Sequence, residues 1–240
     1  FFIKGVIMKP EWQWDEFHQI GTDYESAEEV AAYDQRMRQF RDIDREVDEF
    51  LRLTDLQPGG RLLEIGTGTG ALARRAAARG CHVTALDISP PMLEYASRKA
   101  SEEKLKNIEF VQAGFLSYEG APDSFDAVIT GMAMHHLPDL WKMAALIRIN
   151  KWLKPDGNFC LHDVVFCPSP DDFDGYFERA TAWNLGGSRA NFIGHIRQEY
   201  STLDWIMTGL LERAGFRIME VISGEPDWVN VYHCRIHRKL

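Results

Sequence analysis

The stretch "RLLEIGTGTGALARRAAARGCHVTALDIS", Arg61 to Ser89, decides the fold. The apolar run "RLLEI" leads into Gly66, Gly68 and Gly70, and "ALARRAAARG" follows as a helix closed by Gly80. "HVTALD" is a second apolar run, ending on Asp87. Strand, glycine turn, helix and strand make a βαβ unit. Without a Cβ, glycine turns sharply at positive φ and lets a ligand come close to the backbone. The turn satisfies two patterns. Gly66, Gly68 and Gly70 spell G-x-G-x-G, while Gly66, Gly68 and Ala71 fit G-x-G-x-x-G/A, the dinucleotide fingerprint.

The alternation continues downstream. "SPPMLEYASRKASEEKLK" reads as a helix with Ser89 as N-cap and Pro90 in its first turn. "IEFVQA" and "FDAVIT" read as strands three and four, a helix covers about 139–153, and "NFCLHDVVF" is strand five. Such alternation implies a doubly wound, mostly parallel sheet. Upstream, residues 10–25 are aromatic-rich and lack a period; Ser26 and Glu29 form a capping box, and helical spacing covers roughly 27–53. The stretch 167–200 breaks the rhythm and reads as an inserted helical lid carrying Phe173, Tyr176, Phe177 and Trp183. Ser201 is expected to open the last helix, and "FRIMEVI" and "WVNVYHCRI" end the chain as a strand pair at the sheet edge. The expected division is one domain: a helical cap over 1–57, a binding core over 58–166, the lid over 167–200, and the last helix and strand pair over 201–240.

Composition agrees with an ordinary globular domain, 240 residues with 45% hydrophobic and 26% charged. A formal charge of -9 argues against a nucleic-acid partner, since such proteins carry basic excess. Cys81, Cys160, Cys167 and Cys234 are scattered without metal-ligand spacing, so no metal site is expected and the thiols point to a reduced, cytoplasmic setting. No apolar run approaches the roughly 20 residues of a membrane span. "FFIKGVIMKP" lacks the pattern of a signal peptide. A monomer or homodimer is expected.

The ligand of the turn is decided by its surroundings. An acid at the end of strand two, here Asp87, suits ribose hydroxyls under either pattern. Glu64, just before the glycines, suits a cationic amino-acid tail and would repel a diphosphate. Strand five is also followed by too short a chain for the separate substrate domain of many dehydrogenases. The balance favours S-adenosylmethionine over a nicotinamide dinucleotide, with an oxidoreductase or a non-catalytic binding module as the alternatives.

"LLEIGTGTG", "ALDISPPMLEYA", "FDAVITGMAMHHLPD" and "WLKPDGNFCLHDVVF" resemble, in order and spacing, the successive motifs of class I S-adenosylmethionine-dependent methyltransferases. The resemblance spans roughly 60–165, and "LLERAGFRIMEV" with "VNVYHCRI" is similar to the family's last helix and terminal strands. It implies a Rossmann-like, seven-stranded sheet with an antiparallel final strand, and transfer of a methyl group to a small molecule, with S-adenosylhomocysteine as product. The branch resembled is that of bacterial small-molecule methyltransferases.

By that resemblance Glu64, Gly66, Thr67, Gly68 and Gly70 cradle the methionine end of the cofactor. Asp87 takes the ribose, Ile88 and Met92 pack near the adenine, and Gly131 and Met132 border the site. After strand three the family shows an acid for the adenine amine; here Ala113, Gly114 and Phe115 stand there, and the usual side-chain contact is missing. "SPPM" echoes an amino-methylating motif but follows strand two, whereas "GMAMHH" stands after strand four, so adenine-N6 substrates are disfavoured. His135 and His136 after strand four and Asp163 in strand five are the catalytic candidates. Trp14, Tyr24, Tyr33, Met134, His195 and Tyr200 are the substrate candidates, with Trp12, His18 and Glu199 also in the cap and lid.

Overall fold

The computed structural model describes residues 10–18, 30, 33, 42–182, 189–224 and 227–240. Helix α1, Ile43–Thr54, starts where the Asp42 carboxylate accepts the Arg45 N–H at 3.0 Å and stops at Asp55, whose φ of 45° is left-handed. Strand β1 (Arg61–Ile65), helix α2 (Ala71–Ala78), strand β2 (His82–Asp87), helix α3 (Pro90–Glu102) and strand β3 (Ile108–Gln112) form the first half of the sheet. Strand β4 (Phe125–Gly131), a 3₁₀ turn over Met134–His136, helix α4 (Asp139–Trp152) and strand β5 (Leu153–Phe166) continue it. Ser89 caps α3 as its sequence suggests, its hydroxyl accepting the Met92 N–H at 3.3 Å.

The strands lie in the order β3-β2-β1-β4-β5-β8-β7, where β7 is Phe216–Ser223 and β8 is Val229–Ile236. The strands from β3 to β5 pair in parallel, while β8 runs antiparallel to both β5 and β7. Successive side chains take opposite faces. Leu63, Ile65, Val128 and Phe159 pack with α4 and with α7 (Asp204–Arg213). Leu62, Val83, Ala127 and Ile129 pack with α1 and α2.

The structure corrects two expectations. The last helix starts at Asp204 rather than Ser201, because Thr202–Leu203 pair with Val165–Phe166 as a short parallel strand, β6, making eight strands. The terminal pair stands at one edge of the sheet as expected, an antiparallel hairpin with β7 outermost and β8 against β5. Met134 is fully buried among Leu137, Leu146 and their neighbours, so it belongs to the core and not to a substrate wall. The lid contains helices α5 (Phe173–Ala182) and α6 (Arg189–Gln198), and Tyr176 and Ala180 of α5 pack on Val164 and Phe166.

Candidate functional site

Strand order reverses between β1 and β4, and a cleft opens there beyond the carboxyl ends of the strands. The turn after β1 supplies Gly66 and Gly68, the end of β2 supplies Asp87 and Ile88, and α3 supplies Met92. Ala113, Gly114 and Phe115 close one end. Gly131, Met132, Ala133, His136 and Leu137 close the other. Glu16, His18 and Tyr33 reach in from the N-terminal segment.

Two glycines have separate reasons for being glycine. Gly66 has φ +76°, and a Cβ there would sit 2.6 Å from that of Ala133. Gly68, at φ +52°, would meet nothing within 4 Å, because its missing side chain faces the open cleft. The Leu86 carbonyl fixes the turn, accepting the Gly66 and Thr67 N–H groups at 2.9 and 2.8 Å. Asp87 accepts the Gly68 N–H at 2.8 Å on one oxygen and the Ser89 N–H at 2.9 Å on the other. Burial raises its carboxyl, and those N–H groups oppose the rise. A carboxylate oxygen has more than one acceptor site, so both oxygens retain capacity for a diol.

Glu64 does something other than its sequence position suggests. Its carboxylate does not line the cleft; it accepts the Thr67 hydroxyl at 2.7 Å inside the turn. Burial drives its carboxyl up to about 8, with the Thr67 hydroxyl and the Ala73 backbone opposing. Through Thr67, Glu64 braces the loop. Thr67 and Gly70 likewise stand behind the lining, where Gly70 begins α2 at φ +77°.

The histidines divide between wall and scaffold. His136 faces the cleft, and burial together with the neighbouring His135 lowers its imidazole to about 4. His135 is buried behind it. Its Nδ1 pairs with the Asp163 carboxylate, its backbone N–H donates to the same carboxylate at 2.9 Å, and its Nε2 lies 3.2 Å from Glu199. Burial would lower His135, but the two carboxylates prevail and raise it to about 9. Asp163 is lowered in return, against its own burial. Glu199 also pairs with His195 Nδ1 at 2.5 Å, and His195 Nε2 meets the Ser201 hydroxyl at 2.8 Å. His135, His195 and Glu199 thus bring ligand-type atoms within 4.8 Å of one another, a juxtaposition the sequence spacing hides. Those atoms are engaged with each other, Glu199 bridging His135 and His195. His135, Asp163 and His195 therefore position rather than line the site.

The remaining substrate candidates separate similarly. Tyr33 is on the wall. Trp14 packs edge-on against Tyr200 at 5.7 Å and on the core, so both hold the N-terminal segment to the lid's end instead of facing the cleft. Tyr24 lies outside the described residues. Sequence reasoning missed Glu16, whose Oε2 accepts the Leu116 N–H at 2.9 Å across 100 residues. No local pattern announces such a contact.

The family described as "Methyltransferase domain" matches residues 62–157. An uncharacterized methyltransferase of Geobacillus kaustophilus is 30% identical over 216 residues, covering 90% of this chain and 94% of its own. The uncharacterized methyltransferase YrrT of Bacillus subtilis is 28% identical over 212 residues, covering 83% of this chain and 92% of its own. A crystal structure of a SAM dependent methyltransferase from Aquifex aeolicus superposes with a TM-score of 0.65 at 18% identity, covering 88% of this chain and 98% of that one.

Proposed function

Because the chain belongs to the class I S-adenosylmethionine-dependent methyltransferases, we propose that its acceptor is a small, largely apolar molecule seated between Gly131–Ala133 and the N-terminal segment. The observation that carries this reading is a cleft lined by Met132, Ala133, Leu137 and Tyr33, with His136 and His18 among its polar groups. The residues present fit the cofactor. An open backbone at Gly68 suits its amino-acid end, Asp87 its ribose diol, and Ile88, Met92 and Phe115 the faces of a purine.

When bound, the cofactor supplies an electrophilic methyl on a sulfonium, so the protein's task is orientation, desolvation and disposal of one proton. His136 is neutral at pH 7, its imidazole held down by burial and by the charged His135. It accepts a hydrogen bond from the acceptor's X–H and takes the proton as the heteroatom is methylated. A base this weak suffices for that step, because the acceptor's proton becomes strongly acidic as its atom gains the methyl group. His135 is held by Asp163 and Glu199, which fix the turn that aims His136.

The net charge of -9 supports an acceptor other than nucleic acid. Four free thiols support a reducing, cytoplasmic setting. Among the described residues no helix is long and apolar enough to cross a membrane. The decisive assay incubates the protein with methyl-labelled cofactor and a bacterial metabolite extract and follows the label by mass spectrometry. Label appearing in one small molecule, and not with a Gly68→Arg control, is the expected result. Label confined to protein or nucleic acid refutes the small-molecule reading.

A further inference from the structure

Residues 10–18 lie against the loop after β3. Gln13 Nε2 donates to the Leu116 carbonyl at 3.2 Å, and Glu16 Oε2 accepts the Leu116 N–H. The Glu16 carboxylate fills the place of a side chain at Gly114: a Cβ there would sit 2.5 Å from Glu16 Oε2 and 2.7 Å from the carboxyl carbon. Glu16 is only 7% exposed, yet its Oε1 has no hydrogen-bond partner, and the residue lines the cleft. Buried acceptors are rarely left unpaired, so such an atom in a cleft wall points to a donor brought by a ligand.

The surroundings specify that donor. Beyond Asp87 the cleft is lined by Ile88, Met92, Ala113 and Phe115, which offer apolar contact to a flat ring, and Glu16 adds a carboxylate beside Gly114. A flat heterocycle with an exocyclic amine matches this arrangement. We propose that Glu16 Oε1 accepts the 6-amino group of the cofactor's adenine, so that the N-terminal segment supplies the acidic side chain the loop after β3 lacks. The inference rests on the cofactor reading above. It has a further consequence: the segment that recognises the purine also packs Trp14 on Tyr200 at the end of the lid, and stacks Trp12 on Trp141 at 6.1 Å. Seating of the base is thereby linked to the packing of the N-terminal segment on Tyr200 and Trp141.

Calorimetric titration tests this with S-adenosylhomocysteine and S-inosylhomocysteine, in which a carbonyl replaces the amine. A buried acceptor that cannot donate favours the amine by about 10–100-fold in the wild type. Glu16→Gln keeps size and can donate to the carbonyl, so the preference is expected to fall to within about threefold. In Glu16→Ala the space at residue 114 is open, and adding Gly114→Asp is expected to restore the preference for the amine. That rescue separates lost recognition from lost folding. An undiminished preference in folded Glu16→Gln overturns this inference alone. Failure of S-adenosylhomocysteine to bind the wild type overturns the cofactor reading and takes this inference with it.

Discussion

A single methyl group distinguishes the roles of two glycines in the turn. Gly66→Ala forces a Cβ against Ala133 at positive φ, and is expected to destabilise the fold by about 2 kcal/mol or more besides abolishing cofactor binding. Gly68→Ala meets only open space, so it should cost about 1–2 kcal/mol from φ alone while still weakening S-adenosylhomocysteine binding. Thermal unfolding beside calorimetry checks both; equal destabilisation by the two would contradict the geometry. His136 is argued at the same scale. His136→Asn is expected to lower kcat about 100-fold while leaving the dissociation constant of S-adenosylhomocysteine within about threefold. Because its imidazole sits near 4, activity limited by His136 should hold level on the acid side until pH drops toward about 5. A midpoint at an ordinary histidine value would show that burial and His135 do not control it.

Between elements, a chain of paired side chains runs from β5 to the lid: Asp163, His135, Glu199, His195 and Ser201. Lys142, buried in α4, reinforces it by donating to Asp139 at 2.8 Å and to the Tyr200 carbonyl. The sign of its pH dependence follows from His135. With a folded value near 9 against an ordinary 6.5, its contribution is fully present below about 6.5 and is lost as pH rises through about 9. Asp163 and Glu199 are lowered, so theirs is present above the ordinary carboxylate range and lost as pH falls through their lower folded values. Unfolding temperature is therefore expected to decline between pH 7 and 9. In Asp163→Asn that decline should flatten, since the main partner holding the His135 proton is gone. An unchanged slope, measured by scanning calorimetry, would show that the pair does not carry the dependence.

For the whole molecule, the cleft is bordered by β1, β2, β3, β4 and the N-terminal segment together, so ligand binding should be read as global stability. S-Adenosylhomocysteine at about 100 times its dissociation constant is expected to add about 2.7 kcal/mol, and NADH at the same concentration nothing. Stabilisation by NADH alone would reverse the assignment of the turn. Local order was written in the chain: Leu62 and Leu63 alternate between faces, Ser89 caps, Gly66, Gly68 and Gly70 turn, and Asp87 ends its strand. These follow from spacing between near neighbours, since periodicity and caps act over a few residues. Which distant residues meet was settled only by folding. Glu64 turned inward to Thr67, Met134 sank into the core, Glu16 crossed 100 residues to Leu116, and His135 met Asp163 and Glu199. Such contacts depend on how whole elements pack, and the spacing of letters along the chain contains no measure of that.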